Sequence, residues 1–143
     1  MSTGPFHILS VTEMEEFGVR VGKVLTAGDV VVLRGELGAG KTTFARGVGR
    51  SLGIQEVTSP TFVISKIYPG SIPLVHVDAY RLIGSDLALF DDLDLEARIP
   101  KSITLIEWGS GFAERLEEEP IDISIEFGET TDERIVTVKG LDL

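Results

Sequence analysis

Several residue types are missing or scarce in this chain of 143 residues, and each absence narrows what the protein can be. It contains no cysteine, so disulfides, thiolate metal sites and cysteine nucleophiles are all excluded. It has only two histidines, His7 and His76, so any metal ion would be bound mainly through oxygen. No apolar run reaches the roughly 20 residues that span a bilayer, and no secretory leader pattern opens the chain. We therefore expect a cytoplasmic protein without membrane contact.

Basic residues are also scarce, with 13 lysines and arginines against 23 acidic residues and a net charge of -10. Tight unaided binding to nucleic acid normally uses a clustered basic face, and none is visible here. The acidic residues gather late in the chain, within residues 91–94 and 114–119. Such runs are usually solvated surface, although an acidic docking face for a basic partner is the alternative. The composition argues against direct binding to a nucleic acid.

The apolar periodicity predicts a single α/β domain over residues 1–143. A first helix is expected after Thr12, which with Glu15 has the spacing of a capping box, and a second helix should end at Gly53. The continuous apolar run at 30–33 is typical of a strand covered on both faces. We expect a three-layer sandwich with a mainly parallel sheet and antiparallel strands at its margin. The predicted strands are residues 7–9, 30–33, 62–68, 73–78, 103–107, 121–127 and 134–138.

A glycine-rich segment joins the second predicted strand to the second predicted helix. It reads Gly35-Glu36-Leu37-Gly38-Ala39-Gly40-Lys41-Thr42 and fits the whole P-loop pattern. The small residues let the backbone curl so that its N–H groups surround a phosphate at the positive end of the following helix. We expect Lys41 to reach the β- and γ-phosphates, Thr42 to bind magnesium and Thr43 to donate to the α-phosphate. The motif therefore predicts a P-loop NTPase-like fold that binds a nucleoside triphosphate with Mg²⁺.

Two carboxylates end apolar strands elsewhere in the chain. Glu107 follows the apolar run 103–106, and Asp78 closes a similar run. Open parallel sheets bind ligands at the carboxyl ends of their strands, so both acids are candidates for the site. One would hold the metal ion and the other would orient a water molecule, and the residues alone leave open which does which.

Four further residues have a common structural interpretation beside a functional one. His76 lies in the middle of a predicted strand, where a packed side chain is commoner than a catalytic one. Trp108 could stack on a base, although a lone tryptophan more often packs in a core or an interface. Arg81 and Arg46 could stabilise charge on a transferred phosphate, a role that few arginines have.

The nucleotide is expected to be ATP, because the chain contains no asparagine and so lacks the Asn-Lys-x-Asp motif that reads guanine. A small-molecule kinase would need a lid over its acceptor, and the only region available, residues 85–101, is acidic and irregular. An ATPase whose output is a change of shape suits the length better. A stand-alone small-molecule P-loop kinase and a non-hydrolysing nucleotide-binding scaffold remain the alternatives.

Four segments together resemble the TsaE (YjeE) family of small bacterial P-loop ATPases. They are residues 35–47, Ser59-Pro60-Thr61-Phe62, the stretch 76–82 and Ile106-Glu107-Trp108, and their order and spacing match as well. The resemblance implies a part in forming threonylcarbamoyladenosine in tRNA. It also implies ATP hydrolysis that is slow alone, an action on the TsaD and TsaB proteins as a nucleotide-driven switch, and contact with tRNA only through that complex.

The resemblance also implies roles for individual residues. Lys41 and Thr42 would bind phosphate and magnesium, Glu107 would be the acid on the metal ion, and Asp78 would position the attacking water. Two further groups complete the implied site: a nucleotide-sensing switch of Ser59, Thr61 and Phe62, and Tyr80 and Arg81 near Asp78.

Overall fold

The computed structural model describes residues 2–36, 38–58, 65–78, 95–107 and 119–143. Within these ranges, no helix combines the length and the hydrophobicity that crossing a bilayer requires. The elements are β1 (Ser2–Ile8), α1 (Val11–Gly22), β2 (Val30–Arg34), α2 (Lys41–Ser51), β3 (Ser65–Tyr68), β4 (Leu74–Asp78), α3 (Leu95–Arg98), a 3-10 turn (Ile99–Lys101), β5 (Ile103–Glu107), β6 (Ile121–Phe127) and β7 (Arg134–Lys139).

The strands form one sheet in the order β1-β7-β6-β2-β5-β4-β3. The central neighbours β6, β2, β5 and β4 run parallel to one another. The outer pairs β1 with β7, β7 with β6 and β3 with β4 are antiparallel. The predicted α/β class, with a parallel centre and antiparallel margins, is confirmed. Because β2, β4 and β5 point the same way, their carboxyl ends lie at one edge of the sheet.

The central strand β2 is buried on both faces, as its unbroken apolar run predicts. Val31 and Leu33 belong to the core cluster that contains the apolar residues of α1 and α2. Val30 and Val32 alternate with them and are buried as well. Side chains of successive strand residues point to opposite faces, so the sheet is covered on both sides. This burial fixes the position from which the glycine-rich segment leaves the sheet.

The start of α1 differs from the prediction. Ser10 is the N-cap residue, and its hydroxyl accepts a hydrogen bond from the Glu13 N–H at 3.1 Å. The Glu13 carboxylate accepts in turn from the Leu9 N–H at 2.6 Å. The predicted box of Thr12 and Glu15 is therefore wrong by two residues, because Ser10 and Glu13 offer the same spacing where the chain leaves β1.

The two long helices touch through glycines. A side chain at Gly47 of α2 would overlap the Glu15 carbonyl oxygen of α1 and lie 2.8 Å from the Gly18 Cα. A side chain at Gly18 would overlap the Phe44 carbonyl oxygen of α2 in the same way. The two backbones are therefore in direct contact, and this contact holds the helix that follows the glycine-rich segment.

Replacing Gly47 by alanine should destabilise the protein. Alanine is the better helix former, but its methyl group would meet backbone atoms that cannot rotate away. We expect the free energy of unfolding to fall by about 1 to 3 kcal/mol, measured by urea denaturation. The neighbouring Arg46→Ala, at an exposed position of the same helix, is the control and should change it by less than about 0.5 kcal/mol. Equal stability of G47A and the parent protein would contradict the close contact.

Candidate functional site

The glycine-rich segment forms a tight loop between β2 and α2. Gly38 has φ 82° and Gly40 has φ 114°, both in the left-handed region where side chains are disfavoured. Between them the Ala39 N–H donates to the Glu36 carbonyl oxygen at 3.0 Å and closes a turn. Gly40 is the N-cap residue of α2. The pattern therefore needs its glycines for backbone geometry, and the loop ends at the N-terminus of a helix.

The N-terminus of α2 lacks two features that commonly stabilise the start of a helix. The N-cap residue Gly40 has no side chain that could accept a hydrogen bond from the first N–H groups of the helix, and the first turn contains no acidic residue. Its first helical residue is instead Lys41, a cation at the positive end of the helix dipole. The first N–H groups of a helix have no partner within the helix, so a helix start that carries a lysine favours an anionic ligand.

Lys41 is almost wholly buried, with 7% of its surface exposed. Its ammonium donates to the Gly35 carbonyl oxygen at 2.7 Å. Burial lowers the pKa of Lys41 below its usual value, because the charged form loses hydration, and the carboxylates of Glu107 and Asp78 oppose this lowering. The lysine therefore shares one electrostatic environment with both candidate acids.

The two acids lie side by side at the carboxyl edge of the sheet. Asp78 is paired in register with Glu107 across β4 and β5, and Glu107 is paired with Leu33 across β5 and β2. Glu107 is buried, whereas Asp78 is half-buried. Strand order thus brings together two carboxylates that are far apart in the chain, next to the strand that leads into the loop.

Beside Glu107 lies the ring of His76, which is fully buried. The distance from His76 Nε2 to Glu107 Oε2 is 3.2 Å. Among the described residues, neither ring nitrogen of His76 has a well-aligned hydrogen-bond partner. The predicted packed position of His76 is confirmed by its burial, and its ring also borders the candidate metal ligand.

The residues at this edge have the right chemistry for magnesium. Thr42 is half-buried in the first turn of α2 and would supply a hydroxyl, and Glu107 would supply a carboxylate. Both are hard oxygen donors of the kind that Mg²⁺ prefers. In the described part of the chain, no three acidic or histidine residues form a metal-binding group. Mg²⁺ suits such a site, because it usually takes most of its ligands from phosphates and water.

The remaining predicted site residues divide into two groups. Glu36 is exposed on the loop, and Thr43 is half-buried on α2 next to Thr42. The others lie outside the described residues and stay predictions: Leu37, Ser59, Thr61, Phe62, Tyr80, Arg81 and Trp108, together with the acidic segment 91–94.

One contact to the loop has no counterpart in the sequence-based predictions. Arg134, the first residue of β7, donates from Nε to the Ala39 carbonyl oxygen at 3.0 Å. No motif marks this arginine, and it lies 95 positions after Ala39 in the chain. A cavity of about 110 Å³ opens beside the contact, between the start of α1 (Ser10, Val11 and Met14), the loop and α2 (Gly38, Ala39, Gly40 and Thr43) and the β6–β7 hairpin (Asp132 and Arg134).

Comparison with known proteins gives a consistent result. Residues 8–136 match the family model described as threonylcarbamoyl adenosine biosynthesis protein TsaE. The chain is 51% identical to the tRNA threonylcarbamoyladenosine biosynthesis protein TsaE of Streptomyces coelicolor, over 90% of each chain. It is 42% identical to the protein of that name from Mycobacterium tuberculosis, over 84% of this chain and 77% of the relative.

A solved structure agrees with the sequence matches. The crystal structure of YdiB from Bacillus subtilis superposes with a TM-score of 0.77 and 32% identity, over 96% of this chain and 86% of that one. The family match covers most of the chain and includes the loop, Asp78 and Glu107. This chain therefore belongs to the TsaE family, which takes part in the biosynthesis of threonylcarbamoyladenosine in tRNA.

Proposed function

We propose that this protein binds ATP with Mg²⁺, hydrolyses it, and uses the reaction as a switch in tRNA threonylcarbamoyladenosine biosynthesis. The observation that supports this most directly is the site of Lys41. The lysine is buried at the start of α2, and the carboxylates of Asp78 and Glu107 act on it from the ends of neighbouring strands. A phosphate-binding loop with one acid for the metal ion and a second group that orients the nucleophile is a recurring arrangement in enzymes that transfer phosphoryl groups.

Each residue has a separate task in this proposal. The ammonium of Lys41 binds the β- and γ-phosphates, and the N–H groups at the start of α2 bind the phosphate chain. Thr42 and Glu107 hold Mg²⁺, which when bound would neutralise charge on the phosphates. Asp78 is the less buried of the two acids, and it orients the attacking water.

The proposed partners are TsaD and TsaB, and the proposed location is the cytoplasm. A net charge of -10 is unfavourable for direct binding to the polyanionic tRNA. We therefore propose that tRNA is reached only through the partner proteins. The switch would act by a change of shape that depends on the bound nucleotide.

The test is an ATPase assay of the purified protein alone and with purified TsaD and TsaB. We expect slow release of inorganic phosphate by the protein alone and clearly faster release with the partners present. The control is the same mixture with the Lys41→Ala protein in place of the parent protein, which measures the activity of contaminating ATPases. Turnover that does not respond to bound partners would contradict the switch. Absence of turnover even with partners would favour a scaffold, and transfer of phosphate to a metabolite would favour a kinase.

A further inference from the structure

The guanidinium of Arg134 lies against the outer side of the glycine-rich loop. Its Nε donates to the Ala39 carbonyl oxygen at 3.0 Å, and its Nη2 donates to the Gly38 carbonyl oxygen at 3.4 Å. These are consecutive carbonyl groups of the loop, between its two left-handed glycines. The fork of an arginine suits such a pair, because its donors are fixed in one plane.

The guanidinium is itself held by the β6–β7 hairpin. Its Nη1 donates to the carbonyl oxygens of Thr131 at 2.7 Å and Glu133 at 2.9 Å. Its Cζ lies 4.6 Å from the centre of the Phe127 ring. Among the described residues, no carboxylate is within ion-pair distance of Arg134. The hairpin thus holds the guanidinium in place beside the loop, and backbone carbonyl oxygens accept hydrogen bonds from its N–H groups.

This contact adds a restraint on two peptide planes of the loop, one of which is also held by the hydrogen bond from the Ala39 N–H to the Glu36 carbonyl oxygen. Glycine at positions 38 and 40 imposes little preference on the backbone. A trans peptide is planar, so its N–H points opposite to its C=O. When Arg134 holds the Ala39 carbonyl, it also holds the Gly40 N–H on the far side of that plane. The same contact keeps the carbonyl oxygens of Gly38 and Ala39 turned toward the guanidinium.

We propose that Arg134 is a positioning residue for phosphate binding, which acts by fixing the peptide planes of the glycine-rich loop from outside. The inference rests on the proposed nucleotide site and deepens it, because it names a residue of the hairpin as part of the phosphate-binding device. The competing role for Arg134 is direct contact with the nucleoside, since it also lines the cavity beside Thr43.

Inorganic tripolyphosphate separates the two roles, because it has the phosphate chain of ATP and no nucleoside. A residue that shapes the loop should affect ATP and tripolyphosphate equally. A residue that touches the nucleoside should affect ATP alone. Three variants are measured by titration calorimetry with both ligands: Arg134→Met, Arg134→Lys, and Arg50→Met as the control. Arg50 forms an exposed ion pair with Glu15 between α1 and α2. The R50M protein therefore shows what the loss of an arginine away from the loop does to ligand binding.

For R134M we expect Kd to rise by about tenfold for ATP and for tripolyphosphate alike, as for the loss of hydrogen bonds from a charged donor. R134K keeps the charge but lacks the rigid planar fork that spans the two carbonyls, so its Kd values should lie between those of R134M and the parent protein. R50M should bind both ligands as the parent does. Urea denaturation of every variant shows that the proteins compared are folded.

Two results would overturn the inference: unchanged Kd values for R134M, or a loss for ATP with none for tripolyphosphate. If R134M does not fold, the Kd values of R134K for ATP and tripolyphosphate are compared with those of the parent protein instead. Parent-like binding of both ligands by R134K would then overturn the inference. A parent protein that binds neither ligand would instead refute the proposed nucleotide site itself, and the inference with it.

Discussion

Replacing Lys41 by alanine is expected to remove ATP binding. The ammonium is buried at the start of α2, where it would lie beside the phosphates of a bound nucleotide. Truncating one partner of a buried, hydrogen-bonded charge pair in a complex typically costs about 2 to 5 kcal/mol, which corresponds to a rise in Kd of about thirtyfold to several thousandfold. Titration calorimetry of K41A with ATP and Mg²⁺ measures this directly.

The matched control is Lys101→Ala. Lys101 is exposed and precedes β5, whereas the candidate site lies at the other end of that strand. K101A changes the net charge by the same amount as K41A. A fall in ATP affinity that is seen in K41A and not in K101A is therefore a local effect of Lys41 and not a general effect of net charge. An unchanged ATP affinity in K41A would refute the assignment of the loop.

Neutralising the two acids should stop hydrolysis by different routes. Asp78→Asn keeps the size of the side chain and removes its charge, so it should leave ATP affinity within a few-fold of the parent while turnover falls by about 10² to 10⁴. Glu107→Gln removes a proposed ligand of Mg²⁺, so turnover should fall and the Mg²⁺ concentration needed for half-maximal activity should rise. Phosphate release at saturating ATP across a magnesium titration distinguishes the two outcomes.

Asp142→Asn is the control for loss of one negative charge, because Asp142 is exposed near the end of the chain. Its turnover and its magnesium dependence should equal those of the parent protein. If D78N hydrolyses ATP at the parent rate, the water-positioning role of Asp78 is wrong. If E107Q keeps the parent's magnesium dependence, Glu107 does not hold the metal ion.

Much of the fold could be predicted because its signals are local. The strands at 103–107 and 121–127 were predicted with the bounds that β5 and β6 have, since their apolar patterns end sharply at polar or turn residues. Gly53, predicted as a left-handed helix cap, has φ 81°. The cap of α1 was misplaced because Thr12 and Ser10 offer the same spacing, and only the exit of β1 decides between them.

By itself, the sequence determined where the glycine-rich loop lies and which family the chain resembles. The loop can be located from the sequence because its backbone angles, and the start of the helix after it, depend on adjacent residues. The sequence also indicated that Asp78 and Glu107 end strands. Only the tertiary structure made them register neighbours, since that depends on β4 and β5 being adjacent in the sheet. The same holds for Arg134, whose contact with Ala39 spans 95 positions and leaves no local pattern. Strand order is set by packing of the whole core, so contacts of this range appear only in the folded chain.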